Sequence, residues 1–218
     1  MEQLIVIGGP SCSGKSFLIE KIQQGGCTCL CEQLDLSISS EWSYVSASEL
    51  RKMCLEDIER LVVHYDLYDQ YKKNKNFESL QELIDNSKRV TILTLWVPDK
   101  ILIQRNNLRL SKYIKSFCYI GEYRGKNRCV DSLVNIKCIL KKKQAYKNGF
   151  CTFLYERWFD FINQNSVTSH WLLNSEKPNI LIAYKDKANE KTLPDFVDFS
   201  LPLNEGRNAS LPMERLMF

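Results

Sequence analysis

Leu4-Ile5-Val6-Ile7-Gly8-Gly9-Pro10-Ser11-Cys12-Ser13-Gly14-Lys15-Ser16 sets four consecutive apolar residues before a glycine-bounded turn that ends in lysine and serine. A short, uninterrupted apolar run stopped by glycine predicts a strand buried on both faces, as in a parallel sheet. Phe17, Leu18 and Ile22 then recur at helical spacing, so residues 15–24 predict a helix, stopped at Gly25-Gly26. The reading is strand, tight turn, helix.

The turn itself, Gly9, Pro10, Ser11, Cys12, Ser13, Gly14, Lys15 and Ser16, fits the pattern G-x-x-x-x-G-K-[ST]. Its glycines let the backbone curl until successive N–H groups point inward at phosphate oxygens. The following helix adds the positive end of its dipole. Lys15 is long enough to reach the β- and γ-phosphates as a point charge. The Ser16 hydroxyl is a ligand for Mg²⁺, an ion that keeps most of its waters. Cys12 contributes its backbone. These residues are read as a P-loop for a nucleoside triphosphate, ATP with Mg²⁺, and the buried strand before and helix after are the context that pattern requires.

Working outward, residues 27–31, 61–65, 90–97 and 179–184 predict four further strands. Residues 46–60 predict a helix opened by a capping box of Ser46 and Glu49. Further helices are predicted at 77–85, at 98–110 with Pro98 in its first turn, at 129–147 and at 150–163. Residues 65–76 read as a tyrosine- and lysine-rich loop, and the tail from about 185 as irregular. Strands alternate with helices, which argues for an α/β fold with a parallel sheet covered on both faces, a three-layer sandwich with right-handed crossovers. Nothing divides residues 1–218 into separate domains. A basic helical insertion occupies about 98–178, before the fifth predicted strand.

Two aspartates fall on the rim where the first turn should lie. Asp66 ends the apolar strand Leu61-Val62-Val63-His64-Tyr65, where a carboxylate can serve the metal ion; a turn aspartate at a strand end is the alternative. Asp35 follows the second predicted strand, where it can take a proton from an attacking hydroxyl or hold the acceptor; a helix cap or turn residue is the alternative. His64, inside its strand, reads as a core histidine.

The chain has 218 residues, 44% hydrophobic and 26% charged, enough to bury a sizeable core. Its net charge of +4 does not by itself argue for a nucleic-acid partner. Charge is concentrated, however. Twelve lysines and arginines lie between Ile103 and Lys147, opposed by Glu122 and Asp131. That stretch suits a phosphate-rich ligand or forms a solvated helix face. The nine cysteines include no C-x-x-C pair, and the histidines are His64 and His170. Structural thiols in a reducing compartment, most simply the cytoplasm, are favoured over a metal site or disulfides. No secretory signal and no apolar stretch long enough to span a bilayer is read.

With five strands placed, the chain resembles the P-loop kinases of the nucleoside-monophosphate, shikimate and gluconate kinase type. Gly8 to Ser16, the strand ending at Asp66, and Leu102-x-x-Arg105-x-x-x-Arg109 after the fourth strand carry the likeness. It implies a five-stranded parallel sheet of order 2-3-1-4-5. It also implies a helical lid between strands four and five, with Arg105 and Arg109 clamping the transferring phosphoryl group of ATP onto a small-molecule acceptor. Solvated helix cations are the alternative for both arginines. The region between strands four and five is longer than a minimal kinase needs, and the C-terminal tail has no counterpart.

Two other functions compete. Tyr155-Glu156-Arg157-Trp158 and Ile180 to Asp186 are faintly similar to the C-terminal part of sulfotransferases, whose phosphosulfate loop lacks the full G-x-x-x-x-G-K-S. A regulatory switch that binds a triphosphate without an acceptor is the other; a guanine-specific one should carry N-K-x-D, and Asn74-Lys75-Asn76-Phe77 is not that motif. The aromatic series Tyr146, Phe150, Phe153, Leu154, Trp158, Phe161 falls at helical spacing and suits a helix packed on the sheet, or an acceptor pocket.

Overall fold

The computed structural model describes residues 1–23, 42–47, 49–50, 58–74, 77–123, 126–174, 180–183 and 215–217. In chain order the strands are β1 (Gln3–Gly9), β2 (Ser43–Ser46), β3 (Arg60–Asp66), β4 (Arg89–Trp96), β5 (Thr168–Asn174), β6 (Ile180–Ala183) and β7 (Arg215–Met217). The helices are α1 (Lys15–Gln23), α2 (Leu67–Asn74), α3 (Glu78–Asp85), α4 (Asp99–Tyr123), α5 (Lys126–Lys147) and α6 (Phe150–Asn165). Two compact units result. One joins Met1–Trp96 to Leu154–Phe218 and holds every described strand; the other is Val97–Phe153.

The sheet runs β2-β3-β1-β4-β5-β6-β7. Its first five strands are mutually parallel. The sheet order 2-3-1-4-5 expected from the resemblance is therefore present, on partly different segments. Residues 27–31 lie outside the described residues, and the strand in second place is Ser43–Ser46. The fifth parallel strand is Thr168–Asn174, not residues 179–184. Ile180–Ala183 instead pairs antiparallel with β5, and Arg215–Met217 antiparallel with β6. The reason is chain length. Only five residues separate Asn174 from Ile180, whereas a parallel return needs a crossover of about a dozen or more. The tail from 185 thus carries a short strand at 215–217. Between β4 and β5 the described residues form the three helices α4, α5 and α6.

β1 is buried along all seven residues, as a central parallel strand must be. Alternation assigns its side chains to two faces. Ile5 and Ile7 share a core with Val62, Leu93, Leu95 and Leu172, and Leu18 and Ile22 of α1 pack onto them. On the opposite face Trp158 of α6 lies against Gly8, where a Cβ would meet Trp158 Cζ2 at 3.0 Å. Trp158 is fully buried, stacks on Tyr65 with ring centroids 5.4 Å apart, and donates its indole N–H to Thr94 Oγ1 at 2.8 Å. Phe77 meets its edge at 5.0 Å. The aromatic stripe from Leu154 to Phe161 is thus core packing, as a helix covering the sheet requires. Gly8→Ala should cost about 1–3 kcal/mol, because that ring is walled in and cannot yield; a lowered urea midpoint at unchanged slope is the expected result.

Residues 65–76, read as a loop, contain helix α2. Asp66 Oδ1 accepts from the Asp69 amide at 3.1 Å, an N-cap, and Leu67, Tyr68 and Gln70 are buried beneath the first turns. Burial, not apolar period, makes this helix, so its composition hid it.

In the second unit α4 and α5 pack on one another. Leu102 is buried on α4, and Asn106 donates its side-chain amide to the Leu102 carbonyl at 2.8 Å. Burial lifts the Asp99 carboxyl above the usual range, opposed by a hydrogen bond from the Cys151 thiol. No described helix is long and apolar enough to cross a membrane.

Candidate functional site

The turn between β1 and α1 is shaped by three residues at positive φ. Gly9 sits at φ 153°, Cys12 at 70° and Gly14 at 102°. A Cβ on Gly9 would come 2.6 Å from Ser13 Oγ and 3.0 Å from the Leu95 carbonyl, so this glycine is sterically required. Cys12 and Gly14 alternate with Ser11 and Ser13, whose φ is not positive, and such alternation turns successive amides to one concave side. The Ser13 amide bonds the Pro10 carbonyl at 3.2 Å, closing a tight turn. The helical ladder begins at Leu18, whose amide reaches the Gly14 carbonyl at 3.0 Å. The amides of Lys15 to Phe17 precede it, at the positive end of the helix dipole.

Lys15 is 3% exposed, a rare state for an ammonium group. Its Nζ donates to the Gly9 carbonyl at 2.8 Å and the Pro10 carbonyl at 2.7 Å, with Ser13 Oγ at 3.5 Å. The opposing charge is Asp66, whose Oδ2 lies 3.4 Å away. Sheet register explains the encounter: Asp66 ends β3 directly beside Gly9 of β1. Asp66 therefore has two roles, helix cap through Oδ1 and counter-charge through Oδ2.

Ser16, exposed in the first turn of α1, meets a residue that the sequence reading placed in the core. His64 Nε2 lies 3.3 Å from Ser16 Oγ. Val62 packs with Leu18 on the α1 face of the sheet, and alternation puts His64 and Asp66 on that same face. His64 is half-buried. Burial first, and the Lys15 cation second, hold its imidazole below the usual histidine range, against the pull of the Asp66 carboxylate. The signal that could have found His64 was its spacing of two residues from Asp66 on a strand.

Gly9 through Ser16 and Asp66 thus come together in one group. Asp35 lies outside the described residues. Arg105 and Arg109 belong to the helical unit, on α4: Arg105 is half-buried, while Arg109 is exposed with its guanidinium 5.9 Å from the Tyr113 ring centroid. Of the basic run on α5, Lys137, Lys141 and Lys147 are exposed, and Lys142 and Lys143 half-buried. Cys12, Cys138 and Cys151 are in no disulfide. Among the described residues no group of three or more His, Cys, Asp or Glu is placed to hold a metal ion.

Neither a family model, nor a curated protein, nor a solved structure matches this chain.

Proposed function

We propose that this chain is a P-loop phosphotransferase. In this reading residues Gly9–Ser16 hold the phosphates of Mg²⁺-bound ATP, and the terminal phosphoryl group passes to a small-molecule hydroxyl or phosphate acceptor. The observation that carries the reading is Lys15: a buried ammonium folded onto the carbonyls of its own glycine-bounded turn, 3.4 Å from a strand-end carboxylate. Carbonyl oxygens are neutral acceptors. Phosphate oxygens are charged ones, and charge-assisted hydrogen bonds are roughly twice as strong. A triphosphate therefore offers Lys15 better partners than those it has.

The chemistry asked of the chain is positioning and neutralisation. The acceptor oxygen attacks the γ-phosphorus in line, the bond to the ADP oxygen breaks, and the acceptor proton leaves to a base. Lys15 and the first amides of α1 stabilise charge on the phosphate oxygens. The Ser16 hydroxyl and the Asp66 carboxylate are hard oxygen donors of the kind that hold Mg²⁺. The ion needs no all-protein cage when phosphates and water complete its shell, and it would supply further neutralisation there. In the proposed enzyme Arg105 and Arg109 serve the transferring group, as the resemblance implies.

Thermal unfolding with ATP, GTP and adenosine phosphosulfate, each with and without Mg²⁺, tests the reading. At about a hundredfold excess over Kd, ATP should stabilise by about 2.7 kcal/mol, a rise of about 5–10 °C in Tm for a chain of this size. Stabilisation by the phosphosulfate alone would sink the kinase reading. Binding of ATP without acceleration of ADP release by any acceptor would favour a switch.

A further inference from the structure

The proposed reaction gives His64 no task, although its side chain stands in the site. It stands on β3 between Val62 and Asp66, opposite Ile7 of β1 and Ser46 of β2. The charged groups acting on it among the described residues are Lys15 and Asp66. Both already have partners in each other and in the turn. The imidazole reaches neither, and its Nε2 lies 3.3 Å from Ser16 Oγ.

A serine hydroxyl has one proton and two lone pairs. To ligate a cation it must turn a lone pair outward, and an acceptor behind it fixes that orientation by taking the proton. Asp66 directs its Oδ1 to the Asp69 amide and its Oδ2 to the Lys15 ammonium. The imidazole occupies the acceptor's place instead.

We infer that His64 is a positioning residue: its Nε2 accepts the Ser16 hydroxyl proton and so aims the Ser16 oxygen at the Mg²⁺ of the bound triphosphate. This rests on the phosphotransferase reading, because that reading brings the cation to Ser16. The hydrogen bond itself does not depend on it. In this arrangement the Nε2 lone pair faces the Ser16 hydroxyl and the ring proton sits on Nδ1. Residues that orient metal ligands typically change metal affinity by about 10–100-fold when removed.

Two measurements separate the hydrogen bond from its consequence. In ¹⁵N NMR of the ligand-free chain, His64 Nε2 should resonate as an unprotonated acceptor, and Ser16→Ala should shift that signal. A protonated Nε2, or no response to Ser16→Ala, overturns the inference whatever the protein binds. Binding of a fluorescent ATP analogue is then measured with and without Mg²⁺. His64→Leu should cut the gain in affinity that Mg²⁺ brings by about tenfold, leave metal-free affinity within about twofold, and add nothing in a Ser16→Ala background. His64→Gln sets an amide oxygen near the Nε2 position and should restore most of the gain, which a merely structural histidine would not predict. An unaltered Mg²⁺ gain in a folded His64→Leu protein, or equal loss in His64→Gln, overturns the role while leaving the phosphotransferase reading in place. A wild-type chain that binds no triphosphate overturns both.

Discussion

Lys15→Ala is expected to lose at least about a hundredfold in triphosphate affinity, about 2.8 kcal/mol, together with any turnover. Two charge-assisted hydrogen bonds to phosphate, each worth about 1.5–3 kcal/mol, are enough to supply that loss. The variant should stay folded. Truncation strips the Gly9 and Pro10 carbonyls of their donor and leaves Asp66, 15% exposed, without its cation. Orphaned groups of this kind cost about 1–3 kcal/mol, within the reserve of an ordinary domain. Isothermal titration with Mg²⁺-ATP, beside a urea melt of the same sample, reads both quantities. Retained affinity in a folded Lys15→Ala protein would remove the central claim, because Lys15 is the cation on which the site is built.

The largest loss of stability should come from Trp158→Ala, at about 3–5 kcal/mol. Five contacts converge on this ring. Gly8 admits it to the sheet, Tyr65 and Phe161 stack on it, Phe77 closes one edge, and Thr94 takes its indole proton. Truncation would open a cavity among rigid rings that cannot collapse, and would leave the Thr94 hydroxyl buried without its donor. Trp158→Phe keeps a ring and loses the hydrogen bond, so it should cost markedly less. Gly8→Ala touches the same contact, so its penalty should shrink in the Trp158→Ala background, a non-additivity that places both on one interface. A loss below about 1 kcal/mol for Trp158→Ala would contradict the packing described here.

Much of this architecture was legible before any coordinate. Leu4 to Ile7 could only be a central strand, since four apolar side chains in a row need burial on both faces. Leu61 to Tyr65 and Val90 to Val97 repeat that signal, and both flank β1. The turn was legible for a different reason: its glycines and its lysine lie close together along the chain, so their spacing shows in the sequence itself. Edge and late strands were not. Ser43–Ser46 and Thr168–Asn174 carry polar residues beside their apolar ones, and neither stands out until its neighbour is known. Helix α2 was hidden for a related reason, its cap and its burial being supplied by the fold.

The same division runs through the candidate site. Gly9, Gly14, Lys15 and Ser16 are adjacent along the chain, so their spacing alone announces a strand-turn-helix built around a lysine. Asp66 was marked by its place at a strand end. That it faces Lys15 depends on β3 lying beside β1 in a register that sets Asp66 against Gly9. His64 shows the limit most plainly. On its own strand it is one polar residue in an apolar run, indistinguishable from a core histidine. It comes to Ser16 only because α1 packs on the face that Val62, His64 and Asp66 share. Bond lengths and backbone torsions act within a few residues and are written in their order. The meeting of residues 48 positions apart is decided by which faces of sheet and helix bury together.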